Sequence, residues 1–169
     1  MRHGTFFAPL TALFLLGAGC TSLPTDTEGP PTPDTPLGLL ETFEWCYDHQ
    51  DEALYAEILD PDFTCYPDPE EVGEPEDYSW GYDEELARFA ELCDACGGEM
   101  DLVLDLSNYE EPGPDDEVWP IPDVEYTLYA IIGDTTYLVP GTADFLAVKA
   151  ADGRWRLLEL RGFERPELP

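Results

Sequence analysis

Basic side chains are scarce in this chain: 7 Lys and Arg stand against 38 Asp and Glu, for a formal net charge of −31. Such a surface repels phosphate backbones and anionic lipid alike, which argues against nucleic-acid binding and against lying flat on a membrane. Histidine is nearly missing, with 2 residues, His3 and His49. The first falls in a leader segment and the second in a polar turn with no implied partner, so imidazole chemistry has little to build on. No apolar run is long enough for a membrane-spanning helix. No G-x-S-x-G, H-E-x-x-H, phosphate loop or D-x-D-x-D-G calcium loop occurs. Glu70, Glu71, Glu74, Glu76 and Asp77 are dense but sit among Pro and Gly, and no metal or cofactor is assigned to them.

What is present begins with an address. Arg2 and His3 precede an apolar stretch, Phe6 to Leu16, and Leu16-Gly17-Ala18-Gly19-Cys20 closes it with small residues, the layout of a signal peptide. The closing residues resemble the lipobox of bacterial lipoproteins, although Gly17 stands where Leu, Val or Ile is usual. That resemblance implies removal of residues 1–19 and acylation of Cys20. It also implies anchoring through more than one acyl chain in the cell envelope, at the outer membrane, facing the periplasm or the surface. Residues 20–36, rich in Pro, Thr and Asp, read as a disordered tether. Residues 37–169 then suit one domain.

Within that domain the period of the apolar residues changes once. Leu39, Leu40, Phe43, Cys46 and Tyr47 give one helix face over residues 35–48, with Thr35 or Asp34 as cap. A second short helix spans 51–59 and a brief strand 62–66. A loop of Pro and Glu follows from 67 to 79. A third helix spans 83–95 with Leu86, Phe89, Ala90 and Cys93 on one face; Asp83, Glu84 and Glu85 suit its positive N-terminal end. From Met100 the alternation is by two, so strands are expected at 100–107, 124–132, 135–149 and 154–163, the last three separated by Gly133-Asp134 and Ala151-Asp152-Gly153 turns.

This order of helices and long strands resembles the nuclear transport factor 2-like superfamily, which includes SnoaL-like polyketide cyclases and ketosteroid isomerases. The residues carrying the likeness are scattered. They include Tyr47-Asp48, Leu59-Asp60-Pro61-Asp62-Phe63-Thr64 and Trp80-Gly81. Further along come Tyr137 through Phe145, and Gly153-Arg154-Trp155-Arg156-Leu157. The resemblance implies an α+β, cone-shaped, cystatin-like fold, with three N-terminal helices on a curved antiparallel sheet. Pro140-Gly141 would supply the bulge that bending needs.

Enzymes of that superfamily point an Asp, His or Glu into the cone. The inward positions read from alternation are Leu102, Leu104, Tyr126, Leu128, Ala130, Val139, Ala143, Phe145, Trp155 and Leu157, none of them ionisable; Glu159 is the nearest exception. No catalytic residue is therefore assigned, and the expected function is binding of a small apolar ligand or a protein partner. The alternative is a SnoaL-like isomerase, cyclase or hydrolase with an unplaced acid or base. Tyr126, Tyr137, Trp80, Trp119 and Trp155 are candidate pocket lining. Cys46, Cys65, Cys93 and Cys96 are candidate disulfide partners, Cys65 reaching Cys93 or Cys96. Tyr129, Ile131, Leu138, Leu146 and Val148 alternate onto the outer sheet face, where a homodimer could form.

Overall fold

Local chemistry sets the helical layer. In the computed structural model, which describes residues 29–67, 78–113, 115–166 and 168, Thr35 caps α1 (Pro36–His49) by accepting from the Gly38 N–H at 3.0 Å. Pro36 opens the helix, where its missing N–H costs nothing. Gln50, at φ 52, turns the chain, and the Asp51 carboxylate caps α2 (Glu52–Ile58) through Leu54 N. After β1 (Leu59–Tyr66) and the two-residue β2 (Trp80–Gly81), α3 (Tyr82–Cys96) ends on Gly97 at φ 58. Then come β3 (Met100–Leu104), β4 (Val118–Ile132), β5 (Thr135–Lys149) and β6 (Trp155–Arg161).

The strands form one six-stranded sheet in the order β2-β1-β6-β5-β4-β3. The expected α+β architecture of three helices packed on a sheet is therefore present. The pairing is not wholly antiparallel: β1 runs parallel to β6. Helices α1 and α2 follow one another before β1, and α3 fills the connection between β2 and β3, so all three cover the inner face. The inward positions expected from alternation are buried there, with Val139 only partly covered. Asp101, Asp105 and Asp144 face solvent, as the same alternation requires.

Three features differ from expectation for physical reasons. The residues ahead of Val124 belong to β4, pairing from Val118↔Val148. The sheet bends where register shifts between Ile121 and Val124, with Asp123 at φ 57, rather than at Pro140-Gly141. Gly141 instead stays in register opposite Tyr126, and a Cβ there would meet the Tyr126 ring and hydroxyl at 2.5–2.8 Å. Finally, the tether expected to run to Pro36 is docked sooner: Trp155 N donates to Pro33 O at 2.7 Å.

The outer edge of the sheet is closed by α1. Leu102 N donates to Asp48 Oδ1 at 2.8 Å and Leu104 N to Glu44 Oε2 at 3.3 Å. Carboxylates thus occupy donors that would otherwise invite another strand. Burial lifts the Glu44 carboxyl above its ordinary value, against the pull of the Leu104 N–H; Asp48, Asp101 and Glu41 add to the rise.

Replacing Gly141 by Ala should lower stability by about 1–3 kcal/mol, because Tyr126 is held between that strand and Phe163 and has little room to yield. Urea unfolding measures it; an unchanged midpoint would show that the ring gives way freely.

Candidate functional site

The interior of the cone is aromatic. Phe43, Tyr47, Tyr55, Phe89, Phe145 and Phe163 are all buried and touch edge-on or stacked, with Tyr55 on Phe89 at 4.0 Å and Tyr126 against Phe163 at 4.5 Å. Phe163 comes from beyond the last strand. Gly162, at φ 69, turns the chain inward, and Tyr126 Oη accepts from Glu164 N at 2.7 Å. The next residue, Arg165, then reaches the first turn of α3.

There it meets Glu85, whose side chain is wholly buried. Arg165 Nη1 donates to Glu85 Oε2 at 3.2 Å, and Nη2 donates to Oε1, a two-pronged pair. Tyr55 Oη also donates to Oε1, and Trp80 Nε1 donates to Oε2 at 2.7 Å. Arg165 Nε donates to Tyr47 Oη at 2.8 Å, and Nη2 to Tyr55 Oη at 3.2 Å. Each carboxylate oxygen therefore accepts two donors. Burial alone would raise the Glu85 carboxyl, but the Arg165 charge, with hydrogen bonds from Arg165, Tyr55 and Trp80, holds it below its ordinary value. Burial would lower Arg165, but Glu85, Tyr47 and Tyr55 hold it well above its ordinary value. Burial also lifts the Tyr47 and Tyr55 hydroxyls, so both stay protonated.

This pair corrects the sequence expectation that no ionised group lines the cone. The sequence pattern puts Glu85 at the helix end as a dipole partner. It does lie in the first turn of α3, but the buried face of that helix runs through Glu85, Phe89, Leu92, Cys93 and Cys96. Leu86 and Ala90, expected inside, are only partly covered. The packed face is thus displaced by about one residue from the expected one, and it carries a carboxylate inward.

The other sequence candidates are dispersed. Trp80 joins the Glu85 cluster from one edge of the sheet. Trp155 and Tyr126 are buried packing residues. Trp119 lies on a separate hollow of about 370 Å³, beside Leu106, Tyr109, Ile121 and the acidic Asp105, Glu110, Asp123 and Glu125. Tyr137 is half-buried opposite Ala130. The five aromatics therefore do not line one pocket. Glu159 pairs with Arg161 at 2.8 Å instead of entering the cone. His49 stacks on Trp45, centroids 3.6 Å apart, at the exposed end of α1. Among the described residues no group of three or more His, Cys, Asp or Glu is arranged to hold a metal ion.

The four cysteines expected to form disulfides are free and buried. Cys65 pairs opposite Trp80, two residues before α3, so it lies at the beginning of that helix. Cys93 lies eight residues beyond Glu85 in it, about 12 Å further along at 1.5 Å per residue. Cys93 neighbours Cys46 and Cys96 instead, and burial with the nearby Glu52 lifts its thiol to about 12. Cys20 lies outside the described residues.

No family model matches the chain, and no curated protein matches it in sequence. Solved structures do match in shape. A nuclear transport factor 2-like superfamily protein from Salmonella enterica serovar Typhimurium superposes with a TM-score of 0.56 at 12% identity, covering 77% of this chain and 89% of that one. This chain has the nuclear transport factor 2-like fold. The same cone is found in the hub of the S. rosetta protein CaMKII, with a TM-score of 0.55, 16% identity and coverage of 79% and 95%. It is found again in a Shewanella frigidimarina protein provisionally assigned as a ketosteroid isomerase, with a TM-score of 0.50, 13% identity and coverage of 73% and 90%. At these identities the likeness extends to the fold alone.

Removing the arginine should be costly. Arg165→Met leaves Glu85 buried and unpaired, and the expected loss is about 3–5 kcal/mol; Arg165→Met combined with Glu85→Gln should lose clearly less. Chemical unfolding of the two variants checks this, and equal losses would mean the pair is not coupled. Stability should also fall in acid. Because Glu85 is lowered in the folded state, its contribution is full above the unfolded carboxyl value and is lost as pH falls through the folded one. The double variant should show a weaker fall below pH 4.5 than the native chain, a comparison read from thermal unfolding at several pH values.

Proposed function

We propose that this protein is a lipid-anchored, non-catalytic domain of the bacterial cell envelope, held by acyl chains on Cys20, that works by binding a protein partner, in the first instance a second copy of itself. The observation that carries this reading is the matched pair inside the cone. A general base needs a free lone pair within reach of its substrate proton, and Glu85 spends its acceptors on Tyr55, Trp80 and Arg165. A small apolar ligand is also poorly served, since the aromatic interior is packed and carries ionised groups at its heart.

The outer sheet face supports the partner reading. Leu138, Val103 and Val118 are 66%, 54% and 50% exposed. Tyr129 pairs with Leu138 at one end of the β4-β5 ladder, and Val118 with Val148 and Pro120 with Leu146 at the other, so the outer face carries two apolar clusters separated by Glu125, Thr142 and Asp144. The hub likeness supports assembly through this fold, since a hub gathers copies. Two chains of this charge repel one another, so pairing should tighten as salt rises.

The second reading, a SnoaL-like isomerase, cyclase or hydrolase, is favoured by one fact: the fold places a carboxylate in the cone. It would need Arg165 to withdraw before Glu85 could accept a proton.

Native mass spectrometry of protein extracted from membranes should show an acylated chain beginning at Cys20, paired with a second copy and without a small ligand. Leu138→Asp should give folded monomers, because that side chain is 66% exposed and outside its own chain's core, with the thermal midpoint lowered only by the lost dimer contribution. An unacylated mass would overturn the anchor, and a monomer carrying a bound small molecule would overturn the partner reading.

A further inference from the structure

The groups that hold Arg165 come from a different part of the chain than the arginine itself. Tyr47 is on α1, Tyr55 on α2, Trp80 on β2 and Glu85 on α3. All four are at most 8% exposed; Tyr47 and Tyr55 pack on Phe89 of α3, and Tyr47 also touches Phe163. They present a flat, fork-shaped set of acceptors: two carboxylate oxygens and two phenol oxygens, with the Tyr47 ring beside the guanidinium carbon at 5.8 Å. Three nitrogens of one planar group are met at once, which a single-point ammonium cannot reproduce. The arginine arrives on a segment without regular secondary structure. The backbone tie just before it, Glu164 N to Tyr126 Oη, holds Phe163 in place independently of the Arg165 side chain.

We propose that Tyr47, Tyr55, Trp80 and Glu85 form a preformed binding site for a guanidinium group, filled in the resting chain by its own Arg165 and able to accept a guanidinium from outside when that side chain is absent. The site is selected by shape as much as by charge. A primary ammonium satisfies the charge of Glu85 but leaves the fork of acceptors partly unmet. An apolar group leaves the carboxylate bare. The ligand class is therefore an arginine side chain of another polypeptide or a small guanidinium compound, both presenting the same planar donor edge. This inference does not depend on dimer formation or on the anchor. It concerns only what the interior of the cone recognises.

The test uses the full chain with Arg165→Ala. Thermal unfolding is followed in millimolar methylguanidinium and in methylammonium at equal ionic strength. Methylguanidinium at about ten times its dissociation constant should raise the midpoint by roughly 3–6 °C, with methylammonium well below that. The native chain, already filled, should shift little with either, and adding Glu85→Gln to the variant should abolish the difference. If Arg165→Ala does not fold unaided, the same comparison is read as recovery of native tryptophan fluorescence on refolding into each salt. Equal responses to the two cations, or no recovery in either, would overturn the proposal. A peptide with the sequence of residues 162–169 provides the second arm. Tighter binding than methylguanidinium would assign the site to a polypeptide arginine, and equal binding would assign it to small guanidinium compounds.

Discussion

A buried carboxylate and a buried guanidinium, 80 residues apart in sequence, tie the segment after β6 to the third helix of this domain. Neither could remain charged in the interior without the other, since an unpaired buried ion costs several kcal/mol. Their bond explains why the chain after β6 turns inward at Gly162 instead of trailing into solvent. It also explains why Phe163 can fill the centre of the cone. The two tyrosines and Trp80 complete the shell, so that helix, sheet edge and tail are joined at one point. The hollow that this fold can leave open is thereby filled from within by Phe163 and Arg165 of the same chain.

The consequence for function follows from that closure. Ionised groups in a cone of this shape are normally a sign of chemistry, because buried charge is retained where it is used. Here the charge is neutralised by a partner from the same chain and the lone pairs are taken. What remains accessible is the outside: apolar side chains such as Leu138 and Val118 at the two ends of the outer sheet face, and an acidic hollow near Trp119. The edge strand β3 is not available in the same way, since Asp48 and Glu44 occupy its donors.

Much of the architecture was legible in the sequence. Alternation from Met100 onward identified nearly every inward residue, and Thr35 marked a helix start by familiar cap chemistry. The central pair was not recognised, although its traces were there. Glu85 is four residues before Phe89 and seven before Leu92, the spacing of one helical face, but three consecutive acids at a helix start are more simply explained by the dipole. Arg165 is one of only 7 basic residues and lies two positions after a Phe. Nothing local says that the tail folds back, because that contact is set by tertiary packing alone. The bend of the sheet was misplaced for a similar reason: Pro-Gly is a common bulge signal, yet here the glycine makes room for the Tyr126 ring. Disulfide pairing failed because β1 meets the beginning of α3, about two turns from Cys93, and spacing in the sequence does not say which part of a helix a strand packs against.

The most direct test of the account is a carbon-13 NMR titration of the Glu85 side-chain carboxyl in the folded protein. The account predicts that the signal stays that of an ionised carboxylate through the ordinary glutamate range and changes only further into acid, as Arg165 lets go. A carboxyl that protonates at or above pH 4.5 in the folded chain would contradict it, and would return Glu85 to the role of an acid or base open to a substrate.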